Sequence, residues 1–131
     1  MKSLEFRGSA LGDLRAFPTS SRRECGFQID RLQRGLEPAD CKPLSSVGSG
    51  VSEIRVSDSD AAFRVVDVAK IESAIYVLHC FRKKTQKTAG TDIELAKARY
   101  KSLLRELKKW VSVDSRAFGT PSKLHKVRPR A

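Results

Sequence analysis

Length, composition and charge already limit what this chain can be. Its 131 residues suit one domain with a single hydrophobic core, and 26 Lys and Arg against 15 Asp and Glu give a formal net charge of +11. This charge favours a polyanionic partner, although a basic protein without such a partner is the alternative. No apolar run is long enough for a signal peptide or a membrane span, so we expect a cytoplasmic protein that engages no membrane. Three cysteines without a CxxC pair predict reduced thiols and no zinc site.

The N-terminal part of the chain predicts one short strand and two helical segments. Lys2–Arg7 alternates apolar and charged residues, which is typical of a strand. Ala10–Phe17 has room for a short helical turn. Arg22–Leu36 shows helical spacing of its apolar residues, with candidate N-caps at Thr19–Ser21 and an end near Gly35.

Three strands are predicted in the middle of the chain. Val51–Val56 alternates, Phe63–Ala69 is rich in valine, and Ala74–Phe81 is the most apolar segment. Turns are expected at Asp58–Asp60 and Glu72–Ser73, where short polar residues favour a chain reversal. Strands at such short intervals predict an antiparallel meander.

A long amphipathic helix is predicted near the C-terminus. Thr91 and Glu94 have the spacing of a capping box, and apolar residues then recur at helical spacing as far as Val111. The other helix face carries cations that we interpret first as a solvated surface: Lys97, Lys101, Arg105 and Lys108. We therefore place one domain at residues 1–111 and a flexible basic tail at residues 112–131.

These elements predict an α+β fold. N-terminal helices pack on a small curved antiparallel sheet, and a C-terminal helix completes the domain. The helices are expected to cover one face of the sheet. The other face is then a shallow concave surface on which cations gather.

The segment FRKKTQKT at Phe81–Thr88 is the strongest functional signal in the sequence. It places Arg82, Lys83, Lys84 and Lys87 where the most apolar strand ends. A strand end holds side chains in defined directions, so these cations predict a positioned anion site. A phosphodiester backbone is the natural anion for such a site.

Two arginines from the neighbouring strands are predicted to join this site. Arg55 leaves the first strand of the meander near the hairpin that leads to Arg64. Pairing of the second and third strands then brings Lys83 and Lys84 to the same region of the sheet. The alternative is that both arginines pair with carboxylates near the hairpin: Glu53, Asp58 and Asp60.

A cluster of Arg and Lys suits RNA cleavage by the substrate's own 2′-OH. The reaction needs an aligned backbone, two proton transfers and neutralisation of a dianionic phosphorane, but no metal or cofactor. Arg stabilises the phosphorane through its planar fork, and neighbouring cations lower the pKa of Lys83 or Lys84 toward the range where lysine transfers protons. We therefore expect no metal site and no cofactor, and the sequence shows no Gly-rich phosphate loop, GxSxG or HExxH pattern.

His79 lies inside the apolar third strand and has two interpretations. Strand alternation puts it on the same face as Val77 and Phe81, so packing is the first interpretation. A role in the site is the alternative, because histidine titrates near neutral pH.

Five segments in order along the chain resemble one known family. They are KPL at Lys42–Leu44, VGSGVSEIR at Val47–Arg55, FRVV at Phe63–Val66, YVLHCFRKKTQKT at Tyr76–Thr88 and DIELAKAR at Asp92–Arg99. Within residues 1–110 they resemble the HigB branch of the RelE/ParE toxin superfamily, a phage-derived group.

The resemblance implies the toxin of a type II toxin–antitoxin pair, an mRNA endonuclease that acts at the ribosomal A site in the cytoplasm. It implies two N-terminal helices on a curved antiparallel sheet, and a small helix-turn-helix antitoxin as partner. By position it assigns catalysis to Arg64, Lys83 and Lys84. It assigns RNA or phosphate contacts to other polar residues of the matched segments: Arg55, Arg82, Gln86, Lys87 and Thr88.

Asp67 is the main departure from the family pattern, in which a tyrosine commonly stands two residues after FRV. Alternation points Asp67 with Phe63 and Val65, so we expect a partly buried acid that attenuates activity, or costs stability unless a cation pairs with it. Two further interpretations stay open. One is a ParE-like toxin that inhibits DNA gyrase without cutting, and the other is an inactive antitoxin-binding relic.

Overall fold

The computed structural model describes residues 1–59, 61–69, 74–84 and 88–118, and these residues form five strands and three helices. In chain order the elements are β1 (Ser3–Phe6), α1 (Ala10–Arg15), α2 (Thr19–Gln33), β2 (Cys41–Pro43), β3 (Val51–Ser57), β4 (Ala62–Val68), β5 (Ala74–Lys83) and α3 (Gly90–Phe118). The predicted α+β class is confirmed. The predicted Glu72–Ser73 turn lies outside the described residues.

The five strands form one mixed sheet in the order β1-β5-β4-β3-β2. Strands β2 to β5 pair antiparallel, as the meander predicted, but β1 pairs parallel to β5, with Ser3 opposite Ala74. The prediction of a purely antiparallel sheet was therefore wrong at one edge. A parallel pair needs a long connection, and here α1, α2 and three strands separate β1 from β5 along the chain. Strand β2 was not predicted, because three residues ending in Pro43 are too few to show alternation.

Helices α1 and α2 pack on one face of the sheet. Phe17, which follows α1, contacts Phe63 of β4 with ring centroids 4.7 Å apart. Helix α2 follows directly on Pro18, its N-cap, so Thr19–Ser21 form the first turn instead of capping it. Gly35 ends the helical region with a φ of +80°, a conformation that glycine adopts at little cost. The buried side chains of this layer include Ala10, Leu14, Cys25, Ile29, Ile54, Val65, Val77 and Cys80.

Helix α3 packs on the opposite face of the sheet. Its residues Ala96 and Leu103 belong to the same buried cluster as Val66 and Val68 of β4. The prediction that all helices share one face was therefore wrong. Strand β4 shows the reason, because its alternate residues are apolar on both faces and both faces must be shielded from water.

A β-bulge interrupts the pairing of β4 with β5. Val66 pairs with His79 and Asp67 pairs with Val77, so Leu78 has no partner of its own on β4. Such an insertion changes which face the following residues occupy. Alternation therefore holds separately on each side of the bulge but not across it.

Helix α3 contacts the bulge directly. The Arg99 guanidinium donates a hydrogen bond to the Leu78 carbonyl oxygen at 2.9 Å. Beyond the bulge, the His79 ring stacks on Phe81 with centroids 5.0 Å apart, whereas Val77 packs in the α1 and α2 layer. The prediction that Val77 shares a face with His79 was wrong, because the bulge lies between them.

Helix α3 is longer at both ends than the sequence analysis predicted. It begins at Gly90, so Thr91 lies inside the helix and is not its N-cap. It continues past Val111 to Phe118, so the expected tail at residues 112–131 starts with helical residues. Residues 119–131 lie outside the described residues. In the described chain no helix is both long and apolar enough to span a bilayer.

Candidate functional site

Arg55 and Arg64 lie directly opposite each other on the antiparallel strands β3 and β4. Opposed residues of such a pair project from the same face, which here is the face that packs against α3. The Arg64 side chain is 6% exposed and the Arg55 side chain is 36% exposed. The structure thus brings these two predicted residues together, with Arg64 buried and Arg55 at the surface.

Lys83, at the end of β5, joins the two arginines. It lies two residues beyond Phe81, which pairs with Arg64, so it projects from the same face. The pKa of Lys83 is lowered, first because its ammonium group loses contact with water and second because Arg64 is close. Arg55 and Lys42 act in the same direction. We call Lys42, Arg55, Arg64 and Lys83 the cation cluster.

Lys42 is the member of the cation cluster that sequence reasoning did not select. It pairs with Glu53 across β2 and β3, which places it on the same face as the other cations. Strand β2 is too short to show alternation, so only the KPL segment pointed to this position.

A buried carboxylate, that of Glu53, lies among these cations. Its Oε1 atom is 3.6 Å from Arg64 Nε, and its Oε2 atom accepts a hydrogen bond from the Thr88 hydroxyl at 2.9 Å. The alternative that Arg64 pairs with a nearby acid is therefore realised by Glu53. Arg55 instead lies 4.0 Å from Asp40. Thr88, predicted to contact RNA, uses its hydroxyl to bind Glu53.

The other described cations of the FRKKTQKT segment, Arg82 and Lys84, do not belong to the cation cluster. Arg82 lies over the Phe63 ring, 6.0 Å from its centroid, on the face that α1 and α2 cover, so it points away from the cation cluster. Lys84 is exposed, and the three consecutive residues Arg82, Lys83 and Lys84 all line a cleft of about 380 Å³ at the start of α3. The predicted contact residues Gln86 and Lys87 lie outside the described residues.

His79 connects β5 to α3. Its Nε2 atom lies 2.7 Å from Asp92 Oδ1, and its side chain is 7% exposed. Together with the stacking on Phe81, this contact favours the packing interpretation of His79. Asp92 also lines the cleft beside Lys83, so the start of α3 is held next to the cation cluster.

Asp67 lies on the other face of the sheet, away from the cation cluster. It is 2% exposed, and its Oδ2 atom has no hydrogen-bond partner in the described part of the chain. Burial raises the pKa of this carboxyl to about 7. The predicted partly buried acid is thus fully buried, and it faces the α1 and α2 layer.

The cation cluster has the chemistry of an anion site. Arginine presents a planar fork to phosphate oxygens, and a lysine with a lowered pKa can also accept a proton. Among the described residues, one buried carboxylate, that of Glu53, lies beside the four cations, so positive charge is in excess. Among the described residues, no group of three or more His, Cys, Asp or Glu is placed to hold a metal ion.

Fold and site together define a small basic α+β protein whose mixed sheet carries a cationic cluster beside its C-terminal helix. A family model described as phage derived protein Gp49-like (DUF891) matches residues 12–101, which is more than half of the chain. The chain belongs to this Gp49-like family, a toxin-like family related to RelE and HigB. The matched span contains the whole cation cluster. No curated protein matches the chain.

Proposed function

We propose that this protein is the toxin of a type II toxin–antitoxin pair of the HigB kind and that it cleaves mRNA on the translating ribosome. The observation that carries the proposal is the cross-strand pair of Arg55 and Arg64, with Lys83 on the same face. Membership of a toxin-like family supports the biological class. The excess of positive charge at the site supports RNA as the target.

The proposed reaction is a transesterification within the RNA backbone. The 2′-OH attacks the adjacent phosphorus and the bond from phosphorus to the 5′-oxygen breaks, which leaves a 2′,3′-cyclic phosphate and a 5′-OH end. One proton leaves the 2′-OH and one is delivered to the 5′-oxygen, so no oxidant or reductant is required. The charge that develops on the phosphorane is the main demand on the protein.

The residues of the site divide this work. Arg55 and Arg64 stabilise the phosphorane, and each oriented donor is worth roughly 10²–10³ in rate. Lys83 transfers a proton, because its pKa is lowered, and acid–base catalysis contributes roughly 10²–10⁴ in rate. Lys84, exposed at the cleft beside Lys83, binds the backbone next to the scissile phosphate.

The ribosome and an antitoxin complete the proposal. The formal net charge of +11 favours association with ribosomal RNA, which presents mRNA in the A site. A small helix-turn-helix protein is the proposed antitoxin, and the cytoplasm is the proposed compartment.

Mapping of RNA 5′ ends after brief expression tests the proposal. We expect new ends at fixed positions within translated codons, and in a reconstituted system we expect cleavage to persist in EDTA. New 5′ ends whose positions bear no relation to the translated reading frame would contradict ribosome dependence. Metal independence would be contradicted if EDTA abolished cleavage while the ribosomes stayed intact and added Mg²⁺ restored it.

Variants connect the cleavage to the site. Arg64→Ala and Lys83→Ala are expected to remove the new ends. Lys83→Ala is the safer variant because Lys83 is partly exposed, whereas loss of Arg64 leaves Glu53 as an unpaired buried charge. Arg105→Ala, which removes an exposed cation of α3, is the matched control and should leave the ends unchanged.

One observation favours a second function. Arg64 is almost fully buried and is already held by Glu53, which limits its access to a phosphate. A ParE-like toxin that inhibits DNA gyrase needs no such access. A supercoiling assay separates the two functions, because gyrase inhibition with intact mRNA supports the second and contradicts the first.

A further inference from the structure

Glu53 occupies an unusual position for a carboxylate. It is fully buried, and its Oε1 atom has no hydrogen-bond partner in the described part of the chain. A buried and incompletely paired charge is unfavourable for folding. A group of this kind in a native structure calls for an explanation beyond stability.

We infer that Glu53 is a positioning residue that orients Arg64 and, through Thr88, anchors the chain just before α3. The inference rests on the proposed function, because it concerns the placing of the groups that act on RNA. Each carboxylate oxygen has a separate task. Oε1 faces Arg64 Nε at 3.6 Å, and Oε2 accepts the Thr88 hydrogen bond at 2.9 Å.

Arg64 is held from two sides. Its Nη1 atom donates to the Phe63 carbonyl oxygen at 2.9 Å, and its Nε atom faces Glu53. The Nη1 hydrogen bond fixes one edge of the guanidinium group, and the 3.6 Å ion pair of Nε with Glu53, which is too long for a hydrogen bond, favours one orientation of the other edge. A planar fork binds two phosphate oxygens at once only when its orientation matches theirs. Glu53 is 0% exposed, so it acts through Arg64 and does not itself touch a substrate.

The second contact of Glu53 is its hydrogen bond with Thr88. Strand β5 ends at Lys83, and Thr88 lies two residues before the start of α3 at Gly90. The hydrogen bond from Thr88 to Glu53 therefore ties the far end of the FRKKTQKT segment to the middle of β3. This hydrogen bond fixes the chain just before α3 against β3.

Glu53 also sets the electrostatic balance at Lys83. Its negative charge raises the pKa of Lys83, in opposition to Arg64, Lys42 and Arg55, which lower it. Removal of that charge is expected to shift the acidic limb of the pH–rate profile to lower pH, provided that Lys83 accepts the proton. A purely structural carboxylate would not produce this shift.

Two nearly isosteric variants separate the two contacts. Glu53→Gln removes the charge but retains an oxygen that accepts from Thr88, and Thr88→Val removes the hydroxyl but retains the charge. We expect each to lower cleavage by about 10- to 100-fold, as for residues that orient a ligand-binding group. Affinity for an RNA that 2′-O-methylation protects from cleavage should be retained. Thr88→Ser should restore most of the cleavage lost in Thr88→Val.

Glu94→Gln is the matched control, because it makes the same charge change on an acid that is 74% exposed on α3. It should leave the cleavage rate and the pH profile unchanged. A readout independent of activity is the ¹⁵N–¹H signal of Arg64 Nε. Because the charge of Glu53 lies 3.6 Å from Arg64 Nε, we expect the chemical shift of this signal to change in Glu53→Gln and to stay unchanged in Glu94→Gln.

The outcomes are distinguishable. If the wild type cuts no RNA, the proposed function fails, and the Arg64 signal alone then decides whether Glu53 orients Arg64. If Glu53→Gln retains both the wild-type cleavage rate and the wild-type signal, the inference is overturned. If Glu53→Gln does not fold, Thr88→Val decides, and wild-type cleavage by that variant overturns the anchoring role.

Discussion

Arg55 and Arg64 face each other across β3 and β4, so two like charges occupy neighbouring positions on one face of the sheet. Like charges directly opposite each other destabilise an antiparallel pair. Glu53 lies beside Arg64, whereas Arg55 lies 4.0 Å from Asp40. The proposed site therefore weakens the sheet that carries it, which is a common conflict between function and stability.

The first prediction concerns this repulsion. Arg55→Gln is expected to raise the free energy of unfolding by about 0.2–1 kcal/mol, because it removes one of two opposed charges. The lost contact with Asp40 is between exposed groups and contributes little. Urea denaturation at low ionic strength measures the change. Arg105→Gln on α3 is the control, and a loss of stability in Arg55→Gln alone would show that the Asp40 contact outweighs the repulsion.

The second prediction concerns the buried carboxyl of Asp67. Its folded-state pKa of about 7 lies above the value of 3.8 expected for a free aspartate. As pH rises, the unfolded chain releases this proton first, so the free energy of unfolding should fall from about pH 4 to about pH 7 and then level off. Asp67→Asn removes this dependence and should be more stable than the wild type at pH 8, by on the order of 1–4 kcal/mol.

Urea denaturation at several pH values tests the Asp67 prediction. Asp30→Asn, on the exposed side of α2, is the control and should keep the fall between pH 4 and pH 7. If Asp67→Asn retains the full fall, the carboxyl of Asp67 is not its source.

The third prediction separates charge from proton transfer at Lys83. Lys83→Arg keeps the positive charge, but arginine stays protonated. RNA affinity should therefore be retained, while single-turnover cleavage should fall by about 10²–10⁴-fold. Lys101→Arg on α3 is the matched control. Unchanged cleavage in Lys83→Arg would limit Lys83 to an electrostatic role.

The fourth prediction concerns the packing of α3 against the loop before α1. Gly8 has a φ of +56°, and a Cβ atom there would lie 2.5 Å from Arg99 Nε. Gly8→Ala should lower the free energy of unfolding by at least about 1–2 kcal/mol, the cost of the left-handed conformation alone. It should also displace Arg99 from the Leu78 carbonyl, which amide hydrogen exchange in α3 would report.

The same substitution at Gly12 is expected to change the free energy of unfolding in the opposite direction. It lies within α1, and a Cβ atom there meets nothing within 4 Å. Gly12→Ala should raise the free energy of unfolding by about 0.5–1 kcal/mol, because alanine favours the helix. Equal effects of the two substitutions in thermal unfolding would contradict the conformational argument.

Local patterns in the sequence were sufficient for most of the elements. The apolar spacing of α2 and α3, the alternation in β3, the valine content of β4 and the apolar character of β5 predicted these segments, because all of these signals depend only on neighbours along the chain. The cations at the end of β5 and the approach of Lys83 to Arg55 and Arg64 followed from the same patterns, whereas the predicted approach of Lys84 was not observed. Helix ends were predicted less accurately, since Pro18 is the N-cap of α2 and α3 begins at Gly90, one residue before the predicted cap.

Only the tertiary structure decided how these elements meet. The parallel pairing of β1, the placing of α3 on the second face and the bulge at Leu78 depend on contacts between residues far apart in sequence. The same contacts bring Lys42 into the cation cluster, place Glu53 beside Arg64 and turn Arg82 away from the cluster. The sequence by itself therefore determined which cations are available and that they gather at one end of the sheet. Strand register and helix packing depend on residues far apart in sequence. They decided which cations share a face of the sheet and that the carboxylate of Glu53 lies beside Arg64.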